Sequence, residues 1–259
     1  MNPVEYRSET VLVTGASSGI GAEFARRLAA RGARLVLVAR RRDRLAALAA
    51  SLPTEVTVIA LDLTTPGAGA LLDKELTTRG IEVTSIVNNA GFATHGAFHT
   101  EDPQRLAAEI ALDVTSVVDI SRTFIERLRS RGSGFLINVA SMAAYQANPT
   151  MAVYGATKAF VLHFTEALWY ESRGTGLRVL ALSPGATDTE FFSVAGEGAD
   201  GGTRRMRAGD VVETALSALD RRNPPPSVVA GRLNQISAAL VRLISRRQAT
   251  VLIGRLMKA

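Results

Sequence analysis

Thr14-Gly15-Ala16-Ser17-Ser18-Gly19-Ile20-Gly21 joins an apolar run of strand length, Thr10 to Thr14, to a helical pattern over Ile20 to Arg31. Glycines without a Cβ let the backbone turn sharply there and come close to a ligand. The free N–H groups and dipole of the helix that follows favour a pyrophosphate. The spacing is G-x-x-x-G-x-G, not the commoner dinucleotide pattern G-x-G-x-x-G. The same residues also spell G-x-S-x-G, the strand–turn–helix elbow of a hydrolase nucleophile. That chemistry needs an acid and then a His later in the chain. His95, His99 and His163 have no obvious acid partner, and a loop after the first strand leaves no earlier loop to supply a second oxyanion donor.

Outward from the glycine loop, strand-length runs alternate with helical patterns. Strands are expected over Arg34 to Ala39, Val56 to Ala60, Ser85 to Val87, Phe135 to Val139, Leu177 to Leu182 and Ser227 to Ala230. Helices are expected over Asp43 to Ser51, Pro66 to Arg79, Pro103 to Arg129 and Ala152 to Ser172. Such alternation implies βαβ units: one α/β domain over 1–259, a Rossmann-like doubly wound parallel sheet with helices on both faces. No internal repeat or linker divides the chain.

Composition agrees. At 47% apolar and 21% charged residues, the 259-residue chain can bury a sizeable core and is not globally disordered. With no Cys, disulfides, thiolate nucleophiles, Fe–S clusters and zinc–thiolate sites are excluded, and no metal site is expected. Met1 to Glu9 has no apolar core, and no run of 18 apolar residues occurs, so a cytoplasmic protein without signal peptide or membrane span is expected.

Two further places carry chemistry. An acid at the end of the second strand would bond the ribose 2′-OH of NAD; here Ala39 is followed by Arg40-Arg41-Arg42, and Arg40 suits a 2′-phosphate, which points to NADP(H). Tyr154 and Lys158 are spaced i and i+4 in a helical pattern, so both heads share a face. A free phenol titrates near pH 10, too high for efficient proton exchange near neutrality, and a Lys ammonium beside it would lower that value. Ser141, just after the fifth strand, could bond the same substrate oxygen.

Together these residues resemble the short-chain dehydrogenases/reductases. The matching pieces are the glycine loop, Asp62 after the third strand, Asn88-Asn89-Ala90-Gly91, Ser141, Tyr154 with Lys158, and Pro184-Gly185-Ala186-Thr187-Asp188-Thr189, in the family's order over residues 10 to about 190. The resemblance implies that Gly15, Ser17, Ser18, Gly19, Ile20 and Gly21 hold the pyrophosphate side of the cofactor. It implies that Asp62 and Leu63 flank the adenine, that Asn89, Ala90 and Gly91 line its ribose side and brace the sheet, and that Pro184, Gly185, Thr187 and Thr189 wrap the nicotinamide. Tyr154 would be the acid/base, Lys158 would bind the ribose and tune Tyr154, and Ser141 would orient a carbonyl. The activity implied is hydride transfer between NADP(H) and a carbonyl or alcohol. Asp113 stands where the family usually has a water-holding Asn, which implies retained but altered activity. A rival reading, marked by Asp113, is a cofactor-binding sensor or scaffold with little turnover. A homo-oligomer is implied by resemblance only.

The loop over 186–207 is expected to cover the substrate, with Phe191, Phe192, Val194 and Met206 as an apolar lid and Phe92, Met142, Ala143 and Tyr145 opposite. The expected substrate is therefore a small hydrophobic carbonyl or alcohol. The last 28 residues, Arg232 to Ala259, hold Arg232, Arg242, Arg246, Arg247, Arg255 and Lys258 and no acid, against a whole-chain net charge of +6. Here a helical tail with Ile236, Leu240, Leu243 and Ile244 on one face is expected. It reads either as a helix packing on the core or a second subunit, or as an interfacial helix on an anionic membrane. Nucleic acid is not an expected partner, because the stretch has no aromatics and no known binding motif.

Overall fold

The structure, a computed structural model, describes residues 3–196, 198–200 and 202–257. Gly201 of the expected lid and Lys258 of the basic tail lie outside the described residues. Seven strands form one parallel sheet in the order β3-β2-β1-β4-β5-β6-β7. They are β1 Thr10–Thr14, β2 Arg34–Ala39, β3 Val56–Ala60, β4 Ser85–Asn88, β5 Phe135–Val139, β6 Arg178–Ser183 and β7 Ser227–Val229. The order reverses between β1 and β4, which opens a crevice at the carboxyl ends of the strands, where doubly wound sheets bind ligands.

Every residue of β1, β4, β5 and β6 is buried, as a sheet covered on both faces requires. The period-two alternation divides the core. Val11, Val13, Leu35 and Leu37 pack with α1 (Gly19–Ala30), α2 (Arg42–Ala50) and the helix Ala208–Leu219. Leu12, Val36, Val38 and Leu136 pack on the other face with α3 (Ala68–Thr78) and the helix Ser116–Arg131. At the amino ends of the strands, buried Glu9 accepts bonds from Thr84 Oγ1 (2.6 Å), Ser85 Oγ (2.8 Å) and Arg131 Nη1 (2.9 Å), tying β1 and β4 together away from the crevice.

The expected single helix over Pro103 to Arg129 is interrupted. It runs as α4 (Pro103–Ile110), one π turn (Ala111–Thr115) and α5 (Ser116–Arg131). π turns cluster at functional sites, and this one contains Asp113. Next comes α6 (Ala152–Glu171), which carries Tyr154 and Lys158. The expected lid holds a short helix, α7 (Phe191–Ala195), and is tied back on itself by Met206 N donating to Ala186 O and Asp188 N to Met206 O, each 2.8 Å. After it comes α8 (Ala208–Leu219).

The tail is two helices, α9 (Arg232–Leu240) and α10 (Arg246–Leu256), separated by a 3₁₀ turn and by Ile244 in extended conformation. A reciprocal capping box between Ser245 and Gln248 starts α10. The inward residues of α9 and α10 are small, Ala238 and Ala249, whereas Ile236, Leu240, Leu243 and Ile244 are exposed. Of the readings open for the tail, the one in which those four pack on this chain's own core is thus set aside. No helix among the described residues is long and apolar enough to cross a membrane.

Candidate active site

A cavity of about 950 Å³ opens at the crevice, running from Arg40 and Asp62 past the glycine loop to Tyr154 and Phe191. The residues expected at the site all line it except Gly21, Asp113 and Tyr145. Gly21 acts by packing: a Cβ there would meet Asn89 Nδ2 and Gly15 O at 2.5 Å. Tyr145 is turned away from the cavity. Its ring packs with Val161, Leu162 and Ala181, and its hydroxyl donates to Ser183 Oγ at 3.4 Å, so the sequence reading of Tyr145 as a substrate wall is corrected. Among the lid residues expected, Met206 is also absent from the lining.

The glycine loop is built to hold a ligand through its backbone. Gly15 and Gly19 take φ of +64° and +56°, and a Cβ at Gly15 would meet Ala90 Cα at 2.8 Å. Asn89 braces the loop from β4, its Nδ2 donating to Thr14 O (2.9 Å) and its backbone N to Thr14 Oγ1 (2.9 Å). Ser18, at the N-cap of α1, makes no side-chain cap bond, which leaves the first helical N–H groups for a ligand in the cavity. Instead the hydroxyls of Ser17 and Ser18 accept from Arg41 Nη2, both at 2.9 Å. No His approaches Ser17 to make it a nucleophile, and the hydrolase elbow finds no support.

Arg41, and not the Arg40 that the sequence favours, is the guanidinium that bonds the loop hydroxyls. Its Nη1 also pairs with Glu190 Oε2 at 2.9 Å, and Glu190 bonds Arg44 as well. Arg40 lines the same end of the cavity near Asp62. Partial burial works to raise the Asp62 carboxyl, but bonds from Thr64 N (3.0 Å) and Thr64 Oγ1 (2.8 Å), with Arg40 nearby, hold it below the usual carboxylate range.

At the other end, Ser141, Tyr154 and Lys158 converge. Met142 N donates to Pro184 O at 2.8 Å, which brings the ends of β5 and β6 together around Ser141. Ser141 and the Tyr154 phenol line the same end of the cavity, close enough for the Ser141 hydroxyl to act on the phenol, and Lys158 Nζ lies 5.6 Å from the centre of the Tyr154 ring. Phe191 packs on Tyr154 with ring centroids 5.5 Å apart, and Phe192 and Met151 complete an apolar wall. The phenol is held above its ordinary range because burial outweighs the pull of Lys158 and Ser141, and the charges of Asp113 and Glu109 add to the rise. The expectation of a phenol lowered by Lys158 is therefore met in sign for that one contribution but not in the balance.

Lys158 is itself buried. It donates to Val139 O at 3.3 Å and pairs with Asp113 Oδ2 at 3.0 Å, while Asp113 Oδ1 accepts from Phe92 N at 3.1 Å. Burial works against the ammonium, but Asp113 and Tyr154 outweigh it, so Lys158 keeps its proton above the usual lysine range. Gly91 is needed here, since a Cβ would meet Asp113 Oδ1 at 2.9 Å and Lys158 Nζ at 3.1 Å.

Comparison with known proteins agrees with this geometry. The sequence model for short chain dehydrogenase matches residues 9–199. The chain belongs to the short-chain dehydrogenases. A sulfoacetaldehyde reductase from Chromohalobacter salexigens is 37% identical over 222 residues, covering 82% of this chain and 85% of that protein. A short-chain dehydrogenase from Sphingobium yanoikuyae in complex with NADPH superposes with a TM-score of 0.79 at 33% identity, covering 93% of this chain and 98% of that one. A 3-ketoacyl-(acyl-carrier-protein) reductase from Brucella melitensis complexed with NADH gives 0.76 at 27% identity, covering 88% and 99%. This chain is thus an oxidoreductase of a family whose solved members bind NADPH or NADH. The residues along its cavity fit such a cofactor: glycines with no room for a Cβ, helix N–H groups without a side-chain cap, and arginines at the far end.

Sequence reasoning also missed Glu109, one helical turn before Asp113 and fully buried. Its Oε2 accepts from Thr94 N (3.1 Å) and Thr94 Oγ1 (2.8 Å), and its buried Oε1 has no partner among the described residues. Burial, opposed by the Thr94 hydroxyl and reinforced by Asp113, raises its carboxyl from 4.5 to about 7. Two acids at i and i+4 in an apolar helix were the available signal. Because the fold holds this proton more tightly than the unfolded chain does, the associated stability is fully present below pH 4.5 and is lost as pH rises through about 7. Between about pH 5 and about pH 8, this dehydrogenase should lose roughly 2–3 kcal/mol relative to Glu109→Gln. Denaturant melts of the two proteins across that range check it, and parallel curves would show that Glu109 does not titrate there.

Proposed function

We propose that this dehydrogenase reduces a hydrophobic ketone or aldehyde, or oxidises the matching alcohol, with NADP(H) as coenzyme. The observation that carries the reading is the convergence of Ser141, Tyr154 and Lys158 at the end of the cavity that Phe191, Phe192 and Met151 make apolar. Bound NADPH would supply the hydride. Ser141 donates a hydrogen bond to the substrate oxygen and fixes its position. Tyr154 gives that oxygen the phenolic proton in reduction, or takes it in oxidation. Lys158 stabilises the phenolate left behind, and Asp113 keeps Lys158 charged and aimed. Phe191, against the Tyr154 ring, excludes water from the proton transfer.

NADP(H) is favoured because Arg41 already bonds the loop hydroxyls of Ser17 and Ser18, with Arg40 beside it and no acid at the end of β2. The test is reduced-nicotinamide consumption with NADPH and with NADH across a panel of apolar ketones and aldehydes plus sulfoacetaldehyde. Faster turnover of the apolar members with NADPH is expected. A preference for NADH or for sulfoacetaldehyde would overturn the respective part. No turnover above that of Tyr154→Phe with any member would favour the sensor reading.

Arg41→Ala should lower kcat/KM for NADPH by about ten- to a hundredfold, the loss of one charged hydrogen-bond donor, and leave NADH nearly unchanged. Equal losses with both coenzymes would assign Arg41 to loop structure instead.

A further inference from the structure

The tail is built inside out for a helix that packs on its own chain. Of the 14 large apolar side chains exposed among the described residues, eight lie between Leu233 and Leu256. Leu233 and Leu243 are each 80% exposed, and Ile236, Leu240, Leu252 and Leu256 are more than half or half exposed. What α9 and α10 bury is Ala238 and Ala249. α9 is nonetheless fixed, by Asn234 Nδ2 donating to Ala230 O (2.7 Å) and Gln235 Nε2 to Val229 O (2.9 Å), and α10, started by the Ser245–Gln248 box, is seated by buried Ala249 and by Met257 packed beside Met151 and Tyr154. The apolar face is therefore a held surface and not a frayed end.

The charge on the same surface is of one sign. Arg232, Arg242, Arg246, Arg247 and Arg255 are all exposed, and none of the five makes an ion pair among the described residues. No acid occurs from Arg232 to the last residue. We infer that α9 and α10 dock this protein on an anionic lipid surface, with the leucines and isoleucines entering the headgroup boundary and the arginines meeting lipid phosphates. Apolar side chains gain by leaving water, and long arginine stems let the guanidinium groups reach the headgroup level. A second copy is the less complementary occupant. A two-fold interface sets the same patch against itself, which would oppose arginine to arginine with no acid in the segment to answer them.

The position of the surface gives it a use. Leu256 is both exposed and part of the cavity lining, with Ile253 and Met257 beside it. Lipid docking would put the cavity rim at the bilayer, where apolar carbonyl compounds concentrate. That last step rests on the proposed substrate class; the docking itself does not.

The test is cosedimentation of the full chain with vesicles of phosphatidylcholine alone and of phosphatidylcholine mixed with phosphatidylglycerol, at low and high salt. Binding to the anionic vesicles alone is expected, weakening as salt rises. Arg246→Gln/Arg247→Gln should weaken it by about fivefold per arginine, and Leu243→Asp/Leu252→Asp should abolish it. These side chains are exposed, so thermal melts should stay unchanged, and the salt dependence of the unmodified protein gives a readout that needs no variant. No retention on anionic vesicles at low salt would overturn the proposal. So would sedimentation velocity in which Leu243→Asp/Leu252→Asp splits a dimer, which would assign the face to a second copy. Because the readout is binding, its failure leaves the turnover reading untouched.

Discussion

Tyr154→Phe should lower kcat by about 10²- to 10⁴-fold with any substrate the enzyme accepts, while KM changes little. The substitution keeps the ring that Phe191 packs against and removes only the hydroxyl that would exchange the proton. The fold should therefore be unaffected, and cofactor binding, followed by quenching of Trp169 or by calorimetry, should survive. Loss of binding together with turnover would show that the ring had moved. A second signature comes from pH. Burial sets the Tyr154 phenol high and the Lys158 ammonium lowers it. Oxidation of an alcohol, which needs the phenolate, should therefore rise toward alkaline pH and reach a plateau there, and the variant should lack this limb. Ser141→Ala should cost less, because it removes a positioning bond and leaves the proton donor in place.

Much of this site was legible because the chemistry and the fold share a cause. Strands buried on both faces read as unbroken apolar runs, so β1, β2 and β5 begin and end where the residues alone place them, and so does the half-buried edge strand β3. The catalytic residues sit at the ends of those runs or at i and i+4 on one helix, which makes their convergence predictable from strand ends and helical period. What escaped depended on packing. Arg40 and Arg41 are neighbours in a basic run, and only the turn into α2 decides which one reaches Ser17. Tyr145 follows Ser141 closely enough to suggest a substrate wall, but the 3₁₀ turn Met142–Tyr145 rotates its ring toward α6. The π turn leaves no mark in the apolar pattern on either side of it. In the tail the helical period was visible, whereas its outward sense was not, since a hydrophobic stripe reads the same whichever way it faces.

Asp113 is where the largest stability effect is expected. It is fully buried against Lys158, and Asp113→Ala would leave the ammonium with Val139 O as its only remaining hydrogen-bond acceptor among the described residues. Removing one member of a buried pair costs about 3–5 kcal/mol. Denaturant melts should therefore show a loss of that order for Asp113→Ala. A smaller loss is expected for Asp113→Asn, whose amide oxygen can still accept from Phe92 N. Activity should move the other way for the amide. The Asp113 charge works to raise the Tyr154 phenol, partly cancelling the ammonium that lowers it. Asp113→Asn removes that opposition, so its pH profile should shift toward acid, and turnover near neutrality should rise by roughly three- to tenfold. An unchanged profile would mean that the neighbouring Glu109 has taken over the charge. Glu109 shares the site, its Oε1 is unpartnered, and Asp113 itself holds its carboxyl up. Losing Asp113 should let Glu109 ionise at lower pH. Adding Glu109→Gln to Asp113→Asn should then bring out the acid shift that the single substitution hides. If the double variant also keeps the unmodified profile, neither carboxyl acts on the tyrosine through Lys158, and the pair serves only to keep the lysine folded into place.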